Sequence, residues 1–332
     1  MKDSVSRFFE SMWYEKKLIT ALFLPLSGIF YLLMKLRLFC YKQGWFKSKK
    51  LAVPIIVVGN ITVGGTGKTP VVIYLAQLLK AAGYSPGIIS RGYGGIASSW
   101  PQQVRPDSDA RVVGDEAKVL AVRTQCPVAV GPKRVDSAQA LIDHYNCDVI
   151  VSDDGLQHYA LQRDIEIALV DGERRSGNGF LLPAGPLREQ NERLNTVDFV
   201  ICNGLANAGE FALRVEGDMA VSVMDESIQQ PLKNFQQGAY HAVAALGNPS
   251  RFFTHLKKFG LNITPHTFPD HFQYQSSDIN FNDGKDIFMT EKDAVKCTAI
   301  ANEKHWYVPI KAVMPEAFGL ALLTLIKERD NG

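Results

Sequence analysis

The 332-residue chain carries 36 Lys/Arg against 34 Asp/Glu, a net charge of +2, with 46% hydrophobic residues. That length suits about two domains with substantial cores, and the near-balance of charge argues against a basic surface for nucleic acid. The five cysteines, Cys40, Cys126, Cys147, Cys202 and Cys297, are scattered with no C-x-x-C pair, so no zinc ribbon or disulfide framework is indicated and a reducing cytoplasm is expected.

The charge is unevenly placed. Residues 1–50 hold ten Lys/Arg and three Asp/Glu, a balance of +7, whereas the remainder holds 26 and 31, a balance of −5. Inside the basic stretch, residues 18–34 contain no charge; Lys16 and Lys17 precede them, and Lys35, Arg37, Lys42, Lys47, Lys49 and Lys50 follow. Seventeen helical residues span about 25 Å, slightly less than a hydrocarbon core of about 30 Å. No small-residue cleavage pattern follows, which disfavours a signal peptide. A helix buried in the soluble body is one reading; the preferred one is a membrane anchor over residues 1–42, either a short span or a helix lodged in one leaflet. The heavier basic flank on its carboxyl side would keep the body in the cytoplasm.

Next comes the most informative stretch. The apolar run Ile55-Ile56-Val57-Val58 leads into Thr62-Val63-Gly64-Gly65-Thr66-Gly67-Lys68-Thr69, and a helix-like run follows from Val71. A strand, a glycine-rich turn ending in Gly-Lys-Thr, and a helix form a phosphate cradle: backbone N–H groups turn inward and the helix start adds positive potential. Lys68 reaches the outer phosphates of a nucleotide and the Thr69 hydroxyl suits magnesium. The usual pattern G-x-x-x-x-G-K-[ST] has glycine where this chain has Thr62, so the match is incomplete; Pro70 suits the first helical turn.

Strands are predicted at 53–58, 86–90, 127–130, 148–152, 166–170 and 198–202, and helices at 69–82, 115–124 and 132–145. This alternation implies an α/β unit over 43–210, a P-loop NTPase-type, mostly parallel sheet with helices on both faces and chemistry at the strands' carboxyl ends. Two extended pieces, 211–215 and 220–224, flank Glu216-Gly217-Asp218 and predict a two-stranded linker at 211–226. A second, smaller α/β unit is expected over 227–332, with a strand and turn at 242–248, a helix at 251–259, a buried strand at 286–290 and a closing helix at 314–328.

Other candidate site residues sit at element ends. Val149-Ile150-Val151-Ser152 runs into Asp153-Asp154-Gly155-Leu156-Gln157-His158, and an apolar strand ending in carboxylates is what a second magnesium-facing element requires. Neighbouring side chains on a strand point apart, so one Asp can face metal while the other orients water or substrate; a capped turn is the plainer alternative. Asp115, in Gly114-Asp115-Glu116, is a natural helix N-cap unless that helix start faces the nucleotide. His271, in Pro269-Asp270-His271-Phe272, sits beside an acid and can exchange protons near neutrality, although a lone loop histidine is commonly structural. Ser90-Arg91-Gly92-Tyr93-Gly94-Gly95 is either a substrate loop or a connection. In Leu182-Pro183-Ala184-Gly185-Pro186-Leu187-Arg188-Glu189, Arg188 could clamp a phosphate and Glu189 could assist a metal, or the segment is a proline-braced loop. Thr290-Glu291-Lys292-Asp293 ends a strand in three charges.

Taken in order, these pieces resemble the tetraacyldisaccharide 4′-kinases, the lipid A 4′-kinases of Gram-negative bacteria. The matching segments are Gly59 to Pro70, Ser90 to Gly94, Gly114 to Glu116, Asp153 to His158, Leu182 to Glu189, Pro269 to His271 and Thr290 to Asp293. The Thr at the first glycine position belongs to that family's loop. The resemblance implies a membrane-associated kinase that moves the γ-phosphate of ATP, with Mg2+, to the 4′-hydroxyl of tetraacyldisaccharide 1-phosphate, giving lipid IVA. It implies two α/β/α domains joined by an extended linker and a location on the cytoplasmic face of the inner membrane, with a lipid-linked glucosamine disaccharide as partner and no protein partner. Asp115 and His271 correspond to its proposed catalytic pair, with Asp115 as base and His271 orienting or polarising it. Lys68 and the loop from Thr62 to Thr69 would hold the phosphates. Thr69 with Asp153 or Asp154 would serve the metal with Glu189 nearby, and Arg188 would offset developing charge. A membrane-recruited ATPase switch is the competing class, but its usual K-G-G-x-G-K-[ST] loop has a Lys where this chain has Val63.

Overall fold

The computed structural model describes residues 2–15 and 18–330. Met1, Lys16, Lys17, Asn331 and Gly332 lie outside them, and with them the Lys16-Lys17 part of the basic flank.

Consecutive apolar β-branched residues in Ile55–Asn60 and Val149–Asp153 are buried along their whole length, as strands covered on both faces must be. They are the middle of a nine-stranded sheet whose order is Lys311–Val313, Phe211–Glu216, Phe199–Asn203, Ile165–Asp171, Ile55–Asn60, Val149–Asp153, Pro86–Ser90, Val128–Val130 and Gln102–Val104. The seven inner strands are parallel, and each edge strand is antiparallel to its neighbour. The helix Lys68–Ala81 presents Val71, Val72, Leu75, Ala76 and Leu79 at helical spacing, all fully buried on one face of this sheet. Leu141, Ala138 and Ile150 fill the opposite face.

A six-stranded sheet follows, in the order Gln229–Pro231, Met219–Ser222, His305–Val308, Ile287–Thr290, Ala239–Ala244 and Asn262–Thr267, with the last four strands parallel. Its two faces bury separate apolar clusters, one around Phe288 and Trp306 and the other around Met289 and Val243.

The two pieces predicted to be extended lie where the sheets meet. The two extended pieces of 211–226 do not pair with each other: Phe211–Glu216 belongs to the large sheet and Met219–Ser222 to the small one. Their partners are the returning strands Lys311–Val313 and His305–Val308, so two antiparallel strands cross between the sheets side by side. The closing helix, Glu316–Asp330, then packs on the large sheet, burying Phe318, Leu322 and Ile326 against the cluster that holds Val71 and Leu75. Burying each such side chain stabilises the fold by about 1.5–3 kcal/mol, which explains why the chain's end returns to the larger core.

At the amino end, a 3-10 turn at Leu18–Phe23 runs into the helix Leu24–Lys42, longer than the uncharged segment alone. Pro25 lies in its first turn, where a missing N–H is tolerated. Ser27, on the inward face, donates to the Leu181 carbonyl at 2.8 Å and accepts from the Ala184 N–H at 3.0 Å. Leu22, Leu26, Ile29, Leu32 and Leu36 point outward, each more than half exposed. The 25-residue stretch Leu18–Lys42, which holds an 18-residue window of mean hydropathy 1.8, is long and apolar enough to cross a membrane.

Candidate active site

The glycine-rich loop leaves the carboxyl end of Ile55–Asn60. Gly64 and Gly67 hold φ of +112° and +95°, left-handed conformations that suit residues without a Cβ. Gly67 also caps the helix Lys68–Ala81 without any side-chain bond, which leaves the first helical N–H groups available to an anion. Asn60 braces the loop from within: its Nδ2 donates to the Thr62 carbonyl at 2.8 Å and its Oδ1 accepts from Lys68 Nζ at 3.2 Å. Asn203, at the end of Phe199–Asn203 two strands away, donates to the Thr66 carbonyl at 3.2 Å. The proline-rich segment closes the other side, with Val63 N–H donating to the Pro186 carbonyl at 2.8 Å and Arg188 N–H to the Ile61 carbonyl at 2.7 Å.

The two adjacent aspartates have different surroundings. Asp154 sits at φ +48° and faces the cleft, 3.6 Å from Lys68 Nζ and 3.2 Å from Arg188. Burial pushes its acid upward, but Lys68 and then Arg188 outweigh that and hold it below the ordinary value. Asp153 is 2% exposed; its Oδ2 accepts from the Ser90 hydroxyl at 3.4 Å, and its Oδ1 has no hydrogen-bond partner. Burial, with the Glu116 and Asp154 carboxylates adding to it, raises its pKa to about 7. A buried carboxylate with a bare oxygen, raised even though Lys68 and Arg134 lower it, fits a divalent cation. Thr69 and Asp154 line the same cleft. Among the described residues no three His, Cys, Asp or Glu side chains stand together as a metal cage, an arrangement compatible with magnesium, which keeps waters and takes phosphate oxygens.

Glu189, expected to assist the metal, has both oxygens committed elsewhere. Gln157 donates to Oε1 at 2.7 Å, the Tyr159 hydroxyl donates to Oε2 at 2.6 Å, and Arg193 stands 3.4 Å away. Its neighbour Arg188 lines the same cleft, 3.3 Å from Gln157 Oε1 as well as beside Asp154.

Across the cleft the small sheet contributes His271, whose Nδ1 lies 3.0 and 3.1 Å from the two oxygens of Asp115. These residues are 156 positions apart and come from different sheets' connections. Gly114, at φ +91°, introduces Asp115; a Cβ there would stand 2.8 Å from the Tyr93 carbonyl oxygen, so the approach of the Ser90–Gly95 turn depends on that glycine. The Tyr93 ring packs on the imidazole at 4.9 Å between centroids. Burial raises the acid of Asp115, yet the His271 hydrogen bond together with Lys292 and Lys296 leaves it below its ordinary value. Burial likewise lowers His271, and the Asp115 hydrogen bond reverses this and leaves it raised.

The sequence reading singled out the segment 290–293 without its partners, and passed over Arg123 and Lys118 at this junction. Lys292 Nζ bonds Glu116 at 3.0 Å and Asp270 at 2.9 Å, Arg123 pairs with Glu291 at 2.7 Å, and Lys118 donates to the Val295 carbonyl at 3.2 Å. The charges after Thr290 therefore face the helix Asp115–Thr124 rather than solvent. A run of charge following a strand was the available signal, and it looks the same in sequence as a solvated helix start. Phosphate loop, Asp154, Arg188 and His271 all line one cleft of about 2180 Å³, which reaches Phe9, Trp13, Phe30 and Leu33 of the amino-terminal helices.

A parallel sheet carrying a glycine-rich phosphate loop, a lysine and strand-end aspartates defines the P-loop class of nucleotide-dependent phosphotransferases and hydrolases. Within it, the family model described as tetraacyldisaccharide-1-P 4′-kinase matches residues 19–327, and the chain belongs to that family. A tetraacyldisaccharide 4′-kinase of Nitrosococcus oceani is 52% identical, covering 95% of this chain and 93% of the relative. One from Methylobacillus flagellatus is 47% identical over 99% of this chain and 100% of its own. The crystal structure of LpxK from Aquifex aeolicus in complex with ATP superposes with a TM-score of 0.78 at 26% identity, covering 93% of this chain and all of that one.

Proposed function

We infer that this protein transfers the γ-phosphate of ATP to the 4′-hydroxyl of tetraacyldisaccharide 1-phosphate, yielding lipid IVA. The observation that carries the reading is that a phosphate loop and an acid–imidazole pair from different sheets line one cleft in a member of this kinase family.

Phosphoryl transfer asks mainly for alignment and charge neutralisation. Lys68 and the N–H groups from Val63 to Thr69 hold the β- and γ-phosphates. Arg188, anchored by Asp154, offsets charge as the terminal bond loosens. Thr69 and Asp153, with Asp154 beside them, would hold Mg2+, which would supply further neutralisation of the phosphate oxygens. Glu189 braces the turn carrying Gln157 and Tyr159.

For the acid and the imidazole we infer the reverse of the roles that the resemblance implies. Asp115 is 4% exposed, and both its oxygens face His271. It therefore orients the ring, with Nδ1–H donating to the carboxylate, and leaves Nε2 to accept a proton. The 4′-hydroxyl gives its proton to Nε2 as its oxygen attacks the γ-phosphorus and the bond to the bridging oxygen of ADP breaks. The apolar outer face of the helix Leu24–Lys42 supports attachment to a membrane, and the need for ATP favours its cytoplasmic face; the acceptor's acyl chains would then stay in lipid while the sugar rises into the cleft.

The test incubates purified protein with γ-labelled ATP and the tetraacylated disaccharide in detergent micelles. Label is expected on the 4′-oxygen, with ADP formation dependent on the acceptor. Acceptor-independent hydrolysis with an unmodified disaccharide would overturn the assignment.

A further inference from the structure

Behind the Asp115–His271 pair stands a lysine that none of the roles above uses. Lys296 lies on the helix Glu291–Cys297 with its side chain 1% exposed. Its Nζ is 3.7 Å from Asp115 Oδ2 and 2.9 Å from Asp293 Oδ1. It also sits 5.0 Å from the centre of the Tyr274 ring. Asp293 is fully buried and fixed, its Oδ2 accepting from the Ala245 N–H at 3.1 Å and the Thr290 hydroxyl at 2.6 Å. The groups thus form a buried line of alternating charge: Asp293, Lys296, Asp115, and the imidazole that faces the cleft.

Burying a lone ammonium or a lone carboxylate is strongly unfavourable, and removing one partner of such a pair leaves the other uncompensated. An alternating line relieves every member. It also fixes direction, because Asp115 is held from behind by the small sheet's helix and from the front by the small sheet's histidine, although Asp115 itself belongs to the large sheet's layer.

We propose that Lys296 is a positioning residue for the phosphoryl transfer: it holds the Asp115 carboxylate in line with His271 and shares its charge, so that the imidazole is oriented yet still able to be neutral when the acceptor arrives. The proposal rests on the reading of His271 as base. Lys296 does not touch substrate. It acts on kcat through the proton-accepting step, and leaves the phosphate loop alone.

The sign of its effect follows from the charges around the ring. Facing His271 are Asp115 from the helix Asp115–Thr124, Asp270 beside it, Lys292 from the helix Glu291–Cys297, and the Tyr93 ring; Glu116 acts through Lys292 and Lys296 through Asp115. Removing the Lys296 cation leaves the Asp115 charge undiluted, which stabilises imidazolium and moves the acid limb of the kcat profile to higher pH. Asp293 stands one contact further back, so the lysine dominates.

Lys296→Met alone strands Asp293, so the informative protein is the charge-balanced Lys296→Met/Asp293→Asn variant, compared with wild type and His271→Gln for acceptor-dependent ADP release across pH. The paired variant should lose about tenfold in kcat at the wild-type optimum, with the KM for ATP unchanged. Its acid limb should rise by roughly half a unit to one unit. Unchanged kcat, or a uniform loss with the limb in place, overturns the proposal while leaving the base assignment standing. A wild-type acid limb in His271→Gln sinks both. The limb's disappearance there, joined to its upward shift in the paired variant, supports both.

Discussion

The phosphate loop and the Asp115–His271 junction are built on opposite plans. The loop's parts lie within a dozen residues of one another, between a strand and a helix that both belong to the large sheet. The junction joins positions 156 residues apart, carried by two sheets, and is framed by ion pairs from two facing helices. Nucleotide holding should therefore survive loosening of the small sheet, whereas proton transfer should not. In a kinase this division is useful, because the reactive constellation is complete only when both layers meet and water is excluded.

The comparison is tested most severely at the pair itself. His271→Ala should reduce acceptor-dependent turnover by about 10²- to 10⁴-fold, while ATP affinity measured by calorimetry stays near that of wild type; a parallel loss of ATP binding would show that the two regions are not separable. Lys68→Ala should do the opposite. Removing a cation from the phosphates is expected to lower kcat/KM by roughly 10²-fold and weaken ATP binding, with the His271–Asp115 contact intact in a crystal structure.

The pH dependence divides the regions again. His271 is raised above its ordinary value, and a ring acting as base must be neutral, so on this proposal kcat should fall as pH drops through that raised value. The folding contribution runs the other way. A raised histidine stabilises the closed junction fully below its unfolded pKa and loses that contribution as pH rises through the folded one. Thermal unfolding and turnover measured over the same buffers should thus move in opposite directions near neutrality, and parallel curves would sink the assignment of the ring as base.

A smaller effect on turnover is expected at Arg123. Burial raises the Glu291 acid despite the Arg123 pairing, so Arg123→Ala leaves a buried carboxyl without its partner. Stability should fall by about 2–3 kcal/mol, read from denaturant midpoints, with turnover of the folded fraction little changed. The least change in micellar turnover is expected from Leu32→Asp/Leu36→Asp, which alters only the outer face of the amino-terminal helix. That variant should lose flotation with liposomes; unchanged flotation would remove this helix from membrane attachment.

How much of this was legible in sequence follows the same division. The phosphate loop could be read directly because strand, turn and helix signals are contiguous. The alternation that predicts a parallel sheet could be read for the same reason, and the inner strands fall close to their expected positions. The resemblance pointed to Asp115 and His271 as a pair, but not to which of them would be buried. That depends on Gly114, on the Tyr93 turn and on Lys296 behind. Glu189 read as a metal-side acid because nothing local reveals Tyr159 and Arg193 as its partners. Three-residue strands such as Lys311–Val313 carry no periodicity, so the chain's return to the large sheet was invisible until the sheets were laid out.

The side-by-side crossing of the two strands between sheets has a mechanical consequence. A single connecting strand would let the smaller layer swivel freely. Here the strand pairing lapses at 217–218 on one chain segment and at 309–310 on the other, so both connections turn side by side at one level and tie the two layers at two points. Two such ties restrict the ways in which the layer that carries His271 can sit against the layer that carries Asp115, so the backbone itself narrows the search of the imidazole for its carboxylate.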